Sequence, residues 1–364
     1  MSKKKNNKLQ ENAEKQDIIL ENQFKRAKRN LIQEERHENE EKALSKFSYV
    51  DAANEKSARV KKFEEAKSGS APFLVTENMT NCLNPSAGDL CLYAHTTGDA
   101  KTTTAVNATF QAIRRGLKVM YVSNEETIDD FVKKLTCLEV ELHPGMSNAW
   151  SPGELKRYNE AKTKLLNDKN LVIIDDGFKT ANGGEISTST VRGVVSLLKE
   201  IEQRRDIDLF IFDYFQNISR EPDYKSEYYA LFDLTKKFDY YKGRIGCPIV
   251  VFAQLRPPSK AETELEQRIK LCREIIVKAT IAIEGCADKS RRVNYWKIYK
   301  LRHPKDGVVE GTVFRTIWHK GGMYDPTSEN LLKYDFAKTP PDSKSPFSYD
   351  LQYQGNLPVE NEDE

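Results

Sequence analysis

Short, nearly unbroken apolar runs alternate with longer amphipathic stretches from about residue 73 to residue 334. Leu90–Ala94, Lys118–Ser123, Leu171–Ile174, Leu209–Phe212 and Ile249–Ala253 lack the in-out alternation of a half-exposed strand. They read as strands buried on both faces of a parallel sheet. Between and after them, apolar spacing predicts helices over Thr102–Arg115, Ile128–Leu135, Pro152–Asn167, Thr188–Arg205, Tyr228–Gly243 and Thr263–Ala279. Two late runs, Trp296–Leu301 and Gly311–His319, flank a His-Pro-Lys-Asp-Gly turn and predict an antiparallel edge hairpin. Such alternation implies an α/β fold, whose ligands sit outside the carboxyl ends of the strands.

The flanks differ in kind. Residues 1–67 are densely charged with both signs and hold few apolar positions, so solvated helices without a core of their own are expected. Their Lys/Arg clusters could touch nucleic acid, but a solvated face is the commoner explanation for such runs. Ser68-Gly69-Ser70-Ala71-Pro72 reads as a linker, and residues 335–364 as an acidic, disordered tail.

Composition removes several classes. The chain has 364 residues and a net charge of +2 that averages these unlike segments. Six cysteines form no C-x-x-C pair, and five scattered histidines form no ligand pair, which argues against a disulfide framework or a metal-dependent hydrolase. No uncharged run is long enough for a membrane span and no signal-peptide pattern opens the chain, so a cytoplasmic protein without membrane partners is expected.

The chemistry gathers at strand ends. Asp89–Thr104, DLCLYAHTTGDAKTTT, runs from a strand through a polar loop into a helix, the order of a phosphate-binding loop. His95, Thr96, Thr97, Gly98, Asp99, Ala100, Lys101, Thr102 and Thr103 would surround the phosphates. Lys101 would reach the β/γ-phosphates, and the Thr102 hydroxyl would ligate Mg²⁺. The pattern G-x-x-x-x-G-K-[ST] asks for glycine where His95 and Ala100 stand. A polar turn with an exposed lysine is the plainer reading of that loop. Glu125 and Glu126 follow the second strand, where one carboxylate could polarise a water and the other start a helix. Asp213 ends a four-residue apolar strand, a place for a Mg²⁺-holding carboxylate, and Gln254 ends the next.

In order, GDLCLYAHTTGDAKTT, VMYVSNEET, NLVIIDDG, DLFIFDYFQNIS, PIVVFAQLRPPS and IYKLRHPKDGVVEGTV resemble the successive motifs of the DnaB-type replicative helicase ATPase domain. The resemblance spans about residues 73–320. It implies a RecA-like P-loop core: a mostly parallel twisted sheet flanked by helices, with the antiparallel hairpin at its edge. It implies ATP and Mg²⁺ as cofactors, Glu125 as catalytic glutamate with Glu126 as fallback, Asp213 as metal carboxylate, and Gln254 as the residue coupling nucleotide state to DNA. Lys300 and Arg302 match the basic pair that reaches a neighbouring subunit's γ-phosphate; a charged, soluble edge strand is the other reading. Arg273, Arg256 and Lys260 match loops that contact single-stranded DNA, with Arg268 and Lys270 close enough to compete. The implied function is an ATP-dependent DNA helicase acting in replication as a homo-oligomeric ring, a hexamer, with primase or loader proteins as further partners. The resemblance does not extend to the family's helical collar domain; charged helices over residues 1–67 are expected in its place before the linker. A catalytically degenerate scaffold on the same fold is the alternative, and a filament-forming recombination-type relative a third.

Overall fold

The computed structural model describes residues 75–83, 85–175, 178–179, 185–204, 206–257, 265–269, 271–302 and 308–333. The expectations for residues 1–67, 68–72 and 335–364, for Lys260 and Lys270, and for the turn at 303–307 lie outside the described residues.

The strands are β1 (Leu90–Thr96), β2 (Val119–Ser123), β3 (Leu171–Asp175), β4 (Phe178–Lys179), β5 (Glu185–Ile186), β6 (Leu209–Asp213), β7 (Ile249–Leu255), β8 (Ile281–Asp288), β9 (Val293–Leu301), β10 (Val313–His319) and β11 (Gly322–Tyr324). The helices are α1 (Glu77–Leu83), α2 (Lys101–Arg114), α3 (Ile128–Glu139), α4 (Pro152–Leu166), α5 (Val191–Arg204), α6 (Glu227–Lys242), α7 (Leu265–Arg268), α8 (Glu274–Lys278) and α9 (Ser328–Lys333). One nine-stranded sheet runs β11-β10-β9-β8-β1-β7-β6-β2-β3, and β4 pairs with β5 separately. From β3 to β8 every neighbouring pair is parallel, and from β8 to β11 every pair is antiparallel.

The unbroken apolar runs have the expected cause. On β1, Leu90, Leu92 and Ala94 pack on one face, with Val194, Leu197 and Leu198 of α5 and Leu231, Leu234 and Phe238 of α6. Cys91 and Tyr93 point to the opposite face, into Ala105, Phe110 and Ile113 of α2 and Phe131 and Leu135 of α3. Each large side chain so buried stabilises by roughly 1.5–3 kcal/mol. A strand between two helical layers therefore needs apolar residues at every position.

Two expectations need correction. The late hairpin is part of a larger meander: β8 was not foreseen and lies between β1 and β9. Its sequence, IAIEGCAD, carries a glutamate in mid-strand, and Glu284 is buried there in an ion pair with Arg268 of α7. The single helix over Thr263–Ala279 is instead two short helices, α7 and α8, with Leu271 between them in the left-handed conformation at φ 69°. A residue with a Cβ at that φ cannot continue a right-handed helix.

Candidate nucleotide site

β1 ends at Thr96 and α2 begins at Lys101, so Thr97–Ala100 form the loop at the carboxyl end of the sheet's middle strand. Gly98 takes φ 84° and Ala100 takes φ 62°, ψ 27°. Of the pattern's two glycine positions the chain bends only at the second, and that bend after Asp99 is made by alanine. That conformation costs a residue with a Cβ about 1–2 kcal/mol. Glycine there would add about 0.5–1 kcal/mol of unfolded-state entropy. Ala100→Gly is therefore expected to stabilise by about 0.5–1 kcal/mol, read as a higher urea midpoint at unchanged m.

Lys101 is the centre of the site. Its ammonium pairs with Asp213 at the end of β6 and lies 2.7 Å from Glu125 Oε2. It also sits 4.3 Å from the centroid of the Tyr214 ring. Burial works against this charge, yet the two carboxylates outweigh burial and hold the lysine pKa above its usual value. Asp213 is buried and accepts a 3.0 Å hydrogen bond from the Tyr121 hydroxyl. Burial first, and then the Asp213 charge, push the Tyr121 phenol far up, so it remains a donor. Sequence reading passed over Tyr121 because a tyrosine inside VMYVS looks like core. Tyr214 stood within the quoted DYFQ stretch without a role.

The turn carrying Glu125 is fixed from below. Ser123 Oγ accepts from Glu126 N at 3.0 Å and donates to Glu126 O at 2.7 Å. Asn124 N donates to Asp213 O at 2.8 Å, and its side chain exchanges hydrogen bonds with Thr188. The neighbouring glutamates then divide: Glu125 faces Lys101, whereas Glu126 pairs with Lys134 of α3. Gln254 is in register with His95 and donates to the Thr97 hydroxyl. Its own backbone is held from both sides by the Gln216 amide, at 2.9 Å each way. Gln216, also within DYFQ, is a support that the sequence reading did not assign.

His95 is buried beneath the loop. Burial foremost, with the Lys101 charge adding, lowers its pKa to about 3, although its bond to the Asp99 carbonyl opposes this. A base whose pKa is depressed by folding contributes stability that is complete above its unfolded pKa and lost as pH falls. The window here runs from 6.5 down to about 3. By pH ~4.5 the loss amounts to about 2–3 kcal/mol. Unfolding free energies from urea titrations at neutral pH and near ~4.5 are expected to differ more in the wild type than in His95→Asn, by about that amount.

A cleft of about 290 Å³ lies over the loop, reaching Lys101, Thr102, Glu125 and Gln254. Among the described residues no cluster of three His, Cys, Asp or Glu can hold a metal by itself. Mg²⁺ does not need one, since it is usually held through one or two carboxylates, water and substrate phosphates. Thr102 in the first turn of α2 and the buried carboxylate of Asp213 fit that role.

Residues 71–270 match the model of the DnaB-like helicase C-terminal domain. The chain belongs to that family. A solved structure of a separate ATPase domain superposes with a TM-score of 0.56 at 13% identity, covering 74% of this chain and 97% of that one. A DnaB-like replicative helicase, described with its interactions with primase, superposes with a TM-score of 0.54 at 14% identity, covering 74% of this chain and 66% of that one. No curated protein matches the sequence. The fold is thus the RecA-like core of DnaB-type ATPases, in a mixed sheet flanked by helices.

In this DnaB-like domain the remaining predicted residues are dispersed. Lys300 is opposite Ala282, whereas the phosphate-loop end of β8 is at Gly285, opposite Trp296. Lys300 and Arg302 therefore lie toward the end of the sheet away from Lys101 of the same chain. Lys300 Nζ donates to the carbonyls of Ile276 and Val277 at 3.0 and 2.7 Å, tying β9 to α8. Burial, and secondarily the Arg302 charge, lower its pKa. Arg302 is exposed, as are Arg256 beyond β7 and Arg273 at the start of α8. Arg268 is buried against Glu284 and so is withdrawn from any surface role. Among the described residues no helix is long and apolar enough to cross a membrane.

Proposed function

We propose that the chain is an ATP-dependent motor of the DnaB type, which hydrolyses ATP with Mg²⁺ and moves on single-stranded DNA as a closed ring, a hexamer, during replication. The observation that carries this reading is Lys101, which lines one cleft with Glu125 and pairs with both Glu125 and the buried Asp213, at the end of a loop that turns without the pattern's glycines. Lys101 is the group to bind the phosphates, and Asp213 and Thr102 are the groups to hold Mg²⁺, which supplies charge neutralisation on them when bound. Glu125, held 2.7 Å from Lys101 on a braced turn, is the group to orient an attacking water.

Lys300 and Arg302 lie away from their own cleft, so their use as fingers requires a second copy, and activity then depends on assembly. Exposed Arg256 and Arg273 are cations for DNA phosphates, which makes binding salt-sensitive and independent of sequence. A primase or loader is the class of further partner that this reading carries. The cytoplasm is its place.

The test is the ATPase rate of the full chain with and without single-stranded DNA, with assembly followed by light scattering. Turnover that rises with DNA and with ring formation supports the motor. Rings that bind DNA without turnover leave the scaffold reading in its place.

A further inference from the structure

We propose that His95 is a positioning residue of the phosphate loop: its Nδ1–H braces the Asp99 carbonyl and holds the loop closed before nucleotide arrives, and Gly285 is the glycine that makes room for it. This rests on reading the cleft as a nucleotide site.

His95 occupies the place where the phosphate-loop pattern has its first glycine, yet the chain does not bend there; β1 continues through it to Thr96. The imidazole packs beneath the loop between Phe252 of β7, at a centroid distance of 6.3 Å, and Trp296 of β9, at 5.5 Å. A Cβ on Gly285, its register partner on β8, would collide with the imidazole and stand 2.8 Å from Trp296 Cζ3. The small residue that the loop lacks is thus found on the neighbouring strand.

His95 Nδ1 lies 2.9 Å from the Asp99 carbonyl oxygen. A carbonyl only accepts, so Nδ1 carries the proton. The Asp99 carbonyl is thereby drawn down onto the ring. Because the peptide is planar and trans, the Ala100 N–H must point the opposite way, away from the buried imidazole. Ala100 lines the cleft, and a backbone N–H so directed is what an anion-binding loop needs. Asp99 is held on its other atoms as well. Its N–H donates to Thr96 O at 3.1 Å, and its carboxylate accepts from the Thr96 hydroxyl at 2.5 Å. Together these fix the residue before Ala100 and with it the left-handed turn.

Filling space does not account for the histidine. Nε2 is buried without a hydrogen-bond partner, which an apolar side chain of similar size would avoid. What the imidazole adds over such a residue is the Nδ1–H bond.

The test compares the full chain with His95→Asn, whose amide N–H falls near the position of Nδ1, and with His95→Gln and His95→Ala, which cannot place a donor there. Hydrogen exchange of the loop amides between Thr97 and Thr104 is measured without nucleotide, and binding of a fluorescent ATP analogue with Mg²⁺ is measured separately. Gln and Ala are expected to speed loop exchange and weaken binding about tenfold each, while β6 and β7 amides are unchanged and Asn stays near wild type. Equal loop exchange in all four proteins, or Asn no better than Gln, overturns the brace. Slow exchange in wild type and Asn but not in Gln, with no nucleotide bound by any of them, upholds the brace and removes the nucleotide reading. If the Gln and Ala variants do not fold, ¹⁵N-histidine spectra of the wild type, with His95 assigned by its loss in Asn, decide instead. An Nδ1-protonated ring supports the proposal, and an Nε2-protonated ring ends it.

Discussion

Lys101→Met is expected to lower ATP turnover by about 10²–10³-fold or more, the usual cost of losing one charge-stabilising donor in a closed site. The ammonium is the one cation paired with both Asp213 and Glu125 among the described residues. Methionine keeps the unbranched stem and removes the ammonium with its charge and its donors. It also leaves Asp213, 1% exposed, with the Tyr121 hydroxyl but without its ion-pair partner. A lower melting temperature of the nucleotide-free protein should therefore accompany the loss of turnover. Arginine is expected to fail as well, because a planar guanidinium does not fit a place shaped for a compact ammonium over the Tyr214 ring. Asp213→Asn separates the two carboxylates: it preserves shape and the Tyr121 contact while removing the charge proposed to hold Mg²⁺, so turnover should fall as far as in Lys101→Met. Coupled ATPase assays beside thermal melts check all three. Turnover within tenfold of wild type in Lys101→Met would mean that the cleft's chemistry does not pass through this lysine.

Much of this arrangement is legible in the sequence because the relevant physics is local. LFIF before Asp213 and PIVVFA before Gln254 announce strands buried on two faces, and the polar residue after each must then emerge at the carboxyl end. What is not legible depends on distant partners. IAIEGCAD does not look like a strand until Arg268, on a separate element, is seen to neutralise Glu284. HTTGDAKT looks like a damaged phosphate loop until Gly285, far along the chain, is seen to supply the space that His95 needs. The division of labour between Glu125 and Glu126 likewise waits on Lys134, a residue of the next helix with no motif of its own. Local pattern reports burial and chain direction, while compensation across the sheet is visible only in the fold.

Such compensation also predicts the largest stability effect. Arg268→Met is expected to cost roughly 3–5 kcal/mol near pH ~8, the range for removing one partner of a buried ion pair. Arg268 Nη1 lies 2.5 Å from Glu284 Oε1, and both side chains are within a few per cent of full burial. Arg268 Nε also donates to the Arg256 carbonyl at 3.1 Å, and Arg256 N donates to the Arg268 carbonyl at 2.8 Å. One side chain thus joins α7, the end of β7 and the middle of β8. Burial raises the Glu284 pKa despite the opposing arginine, and removing the arginine should raise it further. An acid with a raised folded pKa has its full stability contribution below the unfolded pKa and loses it as pH rises toward the folded value. The cost of Arg268→Met should therefore shrink near pH ~5, where Glu284 can protonate, and grow above it. Adding Glu284→Met should recover most of the loss at every pH, since apolar replacements of whole buried pairs are often neutral or better. Urea melts of the three proteins at both pH values test this, and a single-variant cost below about 1 kcal/mol would make the pair incidental. The recovered double variant then separates folding from coupling. It still lacks the donor that holds the Arg256 carbonyl, two residues beyond Gln254, so its ATPase without DNA should persist while stimulation by single-stranded DNA falls.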